Sequence, residues 1–333
     1  MLPLKELSGR AGSKSRWYKQ LKAATPAGVR DLARLLSLAT KYSTVRHLAR
    51  ELRAGGYSVV HVNNTFTYQP LTLCAARLAG VPLIARNPVS DGFFARSMMR
   101  LARSVVAVNR TLERALKSWG LPVEVYTCYD GVVAGAPDET CASKLRASLV
   151  EPGGILVGSV GRFDEQKGYH DLVHAARQVV DAYPEARFAV AADGPLRPPL
   201  EKLIADLNLS HRFHLCGFQH NVANFLAALD LFVCPSHWEG GPMVVIEALL
   251  LGKPVVTTEV GFTGEVVVSG RNGYLVAPGN PDALARAMLD SLPNLSALTQ
   301  GACESRSQAA SLTDPASSAR VFDGLVEAVG RLP

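Results

Sequence analysis

The chain has 333 residues, 48% hydrophobic and 19% charged, a composition typical of a folded globular protein with enough core for two domains. No apolar run approaches the roughly 20 residues of a membrane-spanning helix, and the basic amino terminus lacks the apolar core of a secretory signal, so neither is expected. The net charge of +6 divides unevenly, because residues 1–150 carry 22 Lys+Arg and 9 Asp+Glu (+13) whereas residues 151–333 carry 13 and 20 (−7).

Short apolar runs alternate with amphipathic stretches in the amino-terminal half. The patterns predict strands at 57–63, 82–85 and 104–108, with helices near 45–54, 70–78, 94–102 and 111–119. This alternation predicts a first α/β domain over residues 1–150. Residues 1–40 show only basic helical patches, and we expect residues 137–152 to form a connector between domains.

The carboxyl-terminal half repeats the alternation more regularly. Strands are predicted at 155–160, 187–191, 213–216, 231–234 and 254–258, and helices at 169–182, 197–207, 222–228 and 242–251. Strands buried on both faces and separated by helices predict a parallel sheet of Rossmann type. We place this second domain at residues 151–314 and expect a final helix, 315–333, to pack back on the first domain.

A glycine-rich loop follows the first strand of the second domain, with the sequence VGRFDEQKG from Val160 to Gly168. Its glycines allow close backbone approach, and Arg162 and Lys167 can reach one anion from two sides. A diphosphate suits such a cradle. A solvated surface turn has the same composition, so this loop alone does not identify a site.

A second polar cluster follows the strand at 231–234 and leads into a helix with Pro242 in its first turn. The amino terminus of that helix presents free N–H groups and the positive end of the helix dipole at the edge where α/β folds bind ligands. Glu239 lies just before the helix, and Glu247 lies on it among apolar residues. An unpaired buried carboxylate is costly, so Glu247 requires polar partners or contact with solvent.

Five motifs occur in an order that resembles one enzyme family. The residues Glu239 and Glu247 resemble the E-x7-E signature of retaining glycosyltransferases of the GT-B fold, the type called glycosyl transferases group 1. The VGRFDEQKG loop, the DGP at 193–195, the Gly217–Phe218 turn, and GKPVV followed by 261–265 fall in the same order over some 120 residues. The resemblance implies two Rossmann-like domains facing a cleft, with an abbreviated amino-terminal one.

The resemblance also implies roles for individual residues. Arg162 and Lys167 would hold the donor diphosphate, Glu239 the hydroxyls of the transferred sugar, and Glu247 the ribose, with Glu239, Arg162 and Lys167 as the catalytic group. The expected donor-binding residues, contributed through glycines and loop backbone, are Gly161, Gly217, Phe218, Gly240, Gly241, Met243 and Val244.

The match weakens before residue 150. The chain does not begin with the strand and glycine-rich loop usual in the family, although YSVVHVNN resembles a later strand and its polar turn, with Asn63 and Asn64 at the turn. Asn87 stands where the family commonly has a histidine, and an amide cannot act as an acid or base at neutral pH. We expect these three asparagines on the acceptor or donor side.

The implied reaction moves a sugar, with retention, from a UDP- or GDP-sugar to a glycan, a lipid-linked acceptor or a cell-envelope polysaccharide such as lipopolysaccharide. No cofactor is expected, and no metal either, because the chain lacks a D-x-D motif and fixed cations with a helix dipole can stabilise the leaving group. Two alternatives are a non-catalytic nucleotide-sugar-binding partner of an active glycosyltransferase and, less favoured, a GT-B-fold sugar-nucleotide epimerase.

The expected location is the cytoplasm, and the basic amino-terminal half suits peripheral contact with an anionic membrane. Residues 93–103 combine two Phe and two Met with three Arg, which suits either a membrane-facing helix or a core-packing helix with solvated arginines. Nucleic acid is not expected as a partner, because the motifs of nucleic-acid-binding domains are missing.

Overall fold

The computed structural model describes residues 39–63, 69–86 and 93–330. The chain divides into two compact units. Unit 1 comprises Met1–Val105, Trp119–Glu124 and Val329–Pro333, and unit 2 comprises Val106–Ser118 and Val125–Ala328. The predicted boundary near residue 150 and the packing of the final helix on the first domain remain predictions.

A four-stranded sheet in the order β1-β2-β3-β4 belongs to the amino-terminal part of the chain, and β1 and β2 run parallel. Its elements are α1 (Tyr42–Ala54), β1 (Val60–Asn63), α2 (Pro70–Ala79), β2 (Leu83–Arg86), α3 (Phe93–Met99), β3 (Ser104–Ala107), α4 (Arg110–Ser118) and β4 (Glu124–Thr127).

Local sequence explains where these helices pack and end. Helix α1 buries Val45 and Ala49, which are four residues apart and therefore lie on one face. Helix α2 has Pro70 in its first turn and ends at Gly80, whose φ of 75° is the left-handed conformation common after a helix.

Unit 2 contains a six-stranded, fully parallel sheet in the order β10-β9-β8-β5-β6-β7. The remaining elements are α5 (Glu139–Leu149), β5 (Ile155–Arg162), α6 (Tyr169–Ala182), β6 (Ala186–Asp193), α7 (Arg197–Asp206), β7 (Phe213–Leu215), α8 (Val222–Ala228), β8 (Leu231–Cys234), α9 (Met243–Leu250), β9 (Val255–Thr258), α10 (Thr263–Val266), β10 (Gly273–Val276), α11 (Pro281–Ser291), α12 (Leu295–Leu312) and α13 (Pro315–Gly330).

The six-stranded sheet is buried on both faces. One apolar cluster contains Val157 and Phe188 with residues of α6 and α11, and a second contains Leu156 and Phe232 with residues of α8, α9 and α12. All four residues of β8 and of β9 are buried, which explains the continuous apolar sequence of β8 (LFVC) and the β-branched sequence of β9 (VVTT). The predicted α/β class with Rossmann-type parallel sheets is confirmed.

One expectation about local structure was wrong. The segment 137–152, predicted as a connector, contains the eleven-residue helix α5, whose amino terminus is capped by the Asp138 side chain accepting hydrogen bonds from Thr140 and Cys141. In α3, the side chains of Met98 and Met99 are buried, which agrees with the core-packing alternative for these two residues. No helix within the described ranges is both long and apolar enough to cross a bilayer.

Candidate functional site

The candidate site lies at the point in the six-stranded sheet where the order of successive strands changes direction. Strands β5 and β8 are neighbours in the sheet, but successive connections from β5 build outward through β6 and β7, and the chain then returns to β8. The carboxyl ends of two such strands leave a crevice that open α/β sheets use for ligands. The loops following β5 and β8 carry the motifs found in the sequence.

Lys167 and Glu239 form an ion pair across this crevice. The Lys167 Nζ atom lies 2.5 Å from Glu239 Oε1, and the two side chains are 23% and 10% exposed. Ser236 Oγ donates to the same carboxylate oxygen at 3.0 Å, and Gln166 Nε2 donates to Oε2 at 3.2 Å. Glu239 is therefore held in one orientation from three sides.

Further contacts join the two loops. The His237 N–H donates to the Gln166 carbonyl at 2.7 Å, and His237 Nε2 lies 2.8 Å from Asp171 Oδ2. Gly168 has a φ of 64°, and a Cβ at this position would lie 2.0 Å from the Pro235 carbonyl oxygen. Only glycine allows this approach of the β5 loop to the end of β8.

The amino terminus of α9 supplies hydrogen-bond donors beside Glu239. Within the described part of the chain, the N–H groups of Gly241, Met243 and Val244 have no acceptor. These groups and the helix dipole favour an anion at this position. The helix begins at Met243, one residue later than predicted, and Pro242 precedes it with an extended conformation.

Asn109 lies between β3 and α4, directly before the helix. It fixes the orientation of the peptide that carries the Gly241 N–H. Its Nδ2 donates to the Gly240 carbonyl oxygen at 2.6 Å, and its Oδ1 accepts from the Leu112 N–H at 2.6 Å. Because the C=O and N–H of a trans peptide point in opposite directions, holding the Gly240 carbonyl toward Asn109 directs the Gly241 N–H away from it. Both residues belong to unit 2.

Arg162, at the end of β5, is paired with an acidic neighbour. Its Nη2 lies 2.5 Å from Asp164 Oδ2, and 71% of its side chain is exposed. The Asp164 side chain also accepts from the Lys167 N–H and caps the short turn 165–167. At Gly161, the preceding residue, a Cβ would lie 2.6 Å from the Tyr169 hydroxyl.

Glu247 lies apart from the Lys167–Glu239 pair, beside a second recess. Its carboxylate has no hydrogen-bond partner among the described residues, and burial raises the pKa of this carboxyl above its ordinary 4.5. The recess has a volume of about 380 Å³ and is also lined by His220, Asn221 and residues 133–135.

The Gly217–Phe218 turn, predicted to bind the donor, leads to His220 in the lining of this recess. Gly217 has a φ of 70°, which glycine adopts without strain. Phe218 is 74% exposed, and its ring meets that of His220 edge to face at 5.1 Å.

The structure gathers the predicted site residues of the second domain at the carboxyl edge of one sheet but does not place every candidate. Asn63 is the exposed last residue of β1 and belongs to unit 1. Asn64 and Asn87 lie outside the described residues. The roles assigned to all these side chains remain predictions.

Several supporting residues were missed from the sequence. Ser236 and Gln166 orient Glu239, and Glu265 accepts hydrogen bonds from the Arg110 N–H, at 3.1 Å, and from the Tyr129 hydroxyl. Asn109 offered the clearest signal, because it is a polar residue directly between a buried apolar run and an amphipathic helix. The partner of such a residue is distant in sequence and cannot be read from the pattern.

Part of this chain is similar in sequence to known proteins. Residues 143–299 match the family described as glycosyl transferases group 1. A 2-deoxystreptamine glucosyltransferase of Streptomyces kanamyceticus is 35% identical over 155 residues, which are 46% of this chain and 40% of that protein. The chain thus spans about two-fifths of that relative.

A longer alignment and a solved structure extend the likeness. The Escherichia coli UDP-Gal:alpha-D-GlcNAc-diphosphoundecaprenol alpha-1,3-galactosyltransferase is 26% identical, with 78% of this chain and 73% of that protein covered. The crystal structure of Anabaena HepE in complex with UDP superposes with a TM-score of 0.73 at 23% identity, covering 85% of this chain and 82% of the other. The latter likeness confirms the GT-B fold.

Proposed function

We propose that the protein is a glycosyltransferase that takes its sugar from a nucleotide-diphosphate sugar, a proposal supported by the match of residues 143–299 to the glycosyl transferases group 1. The observation that carries the proposal is the Lys167–Glu239 pair at the switch point of the sheet, next to the free N–H groups that begin α9. Cation, carboxylate and backbone donors together suit a diphosphate joined to a sugar.

The chemistry assigns the pair two tasks. As the bond between sugar and diphosphate breaks, negative charge grows on the leaving diphosphate, and Lys167 with the helix terminus stabilises that charge. Glu239, an acceptor oriented by Ser236 and Gln166, binds sugar hydroxyls. Arg162 has the reach and exposure to leave Asp164 and join the diphosphate.

We propose retention of the anomeric configuration by substitution on one face of the sugar, with the leaving phosphate oxygen helping to deprotonate the acceptor. This step follows the resemblance to the E-x7-E enzymes. It requires no protein nucleophile, and fixed cations take the place of a metal ion. Addition of EDTA should leave the rate unchanged, and a rate restored only by Mg²⁺ or Mn²⁺ would contradict the metal-independent mechanism.

The donor is proposed to be a UDP-sugar, with a GDP-sugar as the alternative. HepE is a protein crystallised with UDP and with UDP-glucose, and the Escherichia coli relative is named for UDP-galactose. We propose that the Glu247 carboxylate, which lines the recess and has no hydrogen-bond partner among the described residues, accepts from the ribose hydroxyls. The same relative is named for an acceptor on diphosphoundecaprenol, which supports a lipid-linked or cell-envelope glycan acceptor. We place the reaction in the cytoplasm, at the membrane surface.

The decisive experiment incubates the purified chain with UDP- and GDP-sugars and measures nucleotide release and thermal stabilisation. A native-state ligand raises stability by mass action, so binding and turnover are observed separately. Slow release of UDP that is lost in Lys167→Ala supports the transferase. Stabilisation without release identifies a binding partner, and interconversion of the sugar identifies an epimerase. Anomeric product analysis by NMR tests retention.

A further inference from the structure

A cavity in unit 1 is lined by none of the residues assigned to the donor. It has a volume of about 460 Å³, and its lining includes Arg77, Arg100 and Arg103 together with residues 80–83. None of the described residues that line it is acidic. The charged side chains of this described lining are therefore all positive.

Its position in the sheet separates it from the edge where α/β folds bind substrates. The residues immediately before three strands line it: Gly80–Pro82 before β2, Arg100–Arg103 before β3, and Pro122 before β4. These are the amino ends of the strands, whereas ligands of open α/β sheets lie at the carboxyl ends. The cavity is not the expected acceptor site of this domain.

The surroundings add to the positive charge. Of the described residues of unit 1, nine are Lys or Arg and two are Asp or Glu. Arg53 donates to the carbonyls of Leu78 and Ala79, next to the cavity wall. Arg77 and Arg100 form no ion pair with any described residue, and both are exposed, so their guanidinium groups remain available to an external anion.

We propose that this cavity binds a phosphate group. Guanidinium groups bind phosphate oxygens through paired, charge-assisted hydrogen bonds, and two arginines from different segments can approach one phosphate from two sides. The phosphate belongs either to the head group of an anionic lipid or to a free phosphorylated molecule. Binding weakens with added salt because both arginines are solvent-accessible. This proposal is independent of the sugar-transfer reaction.

The test compares two double variants of equal charge. Arg77→Gln/Arg100→Gln removes both cavity arginines, and Arg46→Gln/Arg50→Gln removes two exposed arginines of α1 that do not line the cavity. Each full-length protein is titrated with inorganic phosphate at constant ionic strength, with thermal stabilisation as the readout. Each is also sedimented with phosphatidylcholine vesicles that contain or lack phosphatidylglycerol. The melting temperature without phosphate checks folding.

We expect the cavity variant to bind at least about tenfold more weakly than the wild type, and the α1 variant to bind like the wild type. Loss of sedimentation with phosphatidylglycerol vesicles assigns the site to a lipid head group, and loss of the phosphate response alone assigns it to a free phosphate. The proposal is overturned if the wild type responds to neither probe, or if both double variants lose binding equally. Unchanged UDP release in the cavity variant separates this site from the donor site.

Discussion

The Asn109 side chain links two segments that are 131 residues apart, because its amide donates to the Gly240 carbonyl at 2.6 Å while its oxygen caps α4. The side chain is 2% exposed, so both hydrogen bonds form away from competing water. One buried amide thereby couples the strand-to-helix junction after β3 to the loop that carries Glu239. At the candidate site it orients the Gly240 carbonyl and with it the peptide that carries the Gly241 N–H.

Replacing Asn109 should separate its two bonds. Asn109→Ser keeps an oxygen that can cap α4 but is too short to reach Gly240, so we expect a stability loss of about 1 kcal/mol and a fall in kcat/KM of about tenfold. Asn109→Ala loses the cap as well and should unfold at lower urea concentration than the serine variant. Equal activity of Asn109→Ser and wild type, with both folded, would remove the positioning role.

For the Lys167–Glu239 pair, we expect a second substitution to restore stability but not activity. Lys167→Ala leaves the Glu239 carboxylate, only 10% exposed, without its cation, and should cost about 1–3 kcal/mol of unfolding free energy and at least about a hundredfold in kcat. In Lys167→Ala/Glu239→Gln the uncompensated charge is gone, so stability should return toward that of the wild type.

Activity should not return in the double variant, because both the cation and the carboxylate are missing. Chemical denaturation and UDP release on the same preparations measure the two effects. Recovery of activity together with stability would show that the pair serves folding only.

Glu247 predicts a pH-dependent effect on stability. Burial raises its pKa above 4.5, so the folded protein binds this proton more tightly than the unfolded chain. Its contribution to stability is therefore most favourable below about pH 4.5 and becomes unfavourable as the pH rises through the higher folded pKa.

Glu247→Gln should accordingly raise the urea midpoint at pH 7, and this gain should vanish below about pH 4.5. UDP should bind the variant about tenfold more weakly if the carboxylate accepts from the ribose. Glu185→Gln, at an exposed glutamate of unit 2, is the matched control and should change neither property. A lower midpoint for Glu247→Gln at pH 7 would contradict the unfavourable burial of this charge.

The sequence was sufficient where the physical signal is local. Strand β8 (LFVC) is apolar throughout and strand β9 (VVTT) is β-branched throughout, so both were predicted from residue type. The glycine-rich loop and Glu239 were likewise predicted from residue type. Helix α5 was missed because its only strong signal is the Asp138 cap, which Pro137 and the nearby glycines obscured. The short strands β4 and β10 are only partly buried and were also missed.

Contacts between distant segments could not be predicted from pattern. Nothing in the sequence pattern indicates that Gln166 reaches Glu239 or that Asn109 reaches Gly240. The Gln166–Glu239 contact depends on the sheet order, which places β5 beside β8 although two further strands separate them along the chain.

Substitution of Gly168 tests whether the loop after β5 must approach the end of β8 closely. Its φ of 64° and the Pro235 carbonyl oxygen, 2.0 Å from the position of an added Cβ, oppose any side chain. Gly153 has a φ of 81° but no atom within 4 Å of an added Cβ, so Gly153→Ala carries the cost of backbone conformation alone, about 1–2 kcal/mol.

Gly168→Ala must in addition move the β5 loop away from the end of β8, so its cost in unfolding free energy should exceed that of Gly153→Ala by about 1–3 kcal/mol. The displacement separates Lys167 from Glu239, so UDP release should fall in Gly168→Ala and remain unchanged in Gly153→Ala. Urea denaturation and activity assays on both variants measure the difference. Equal costs and equal activities would mean that the loops tolerate a wider spacing, and that the geometry of the Lys167–Glu239 pair does not depend on a glycine at this position.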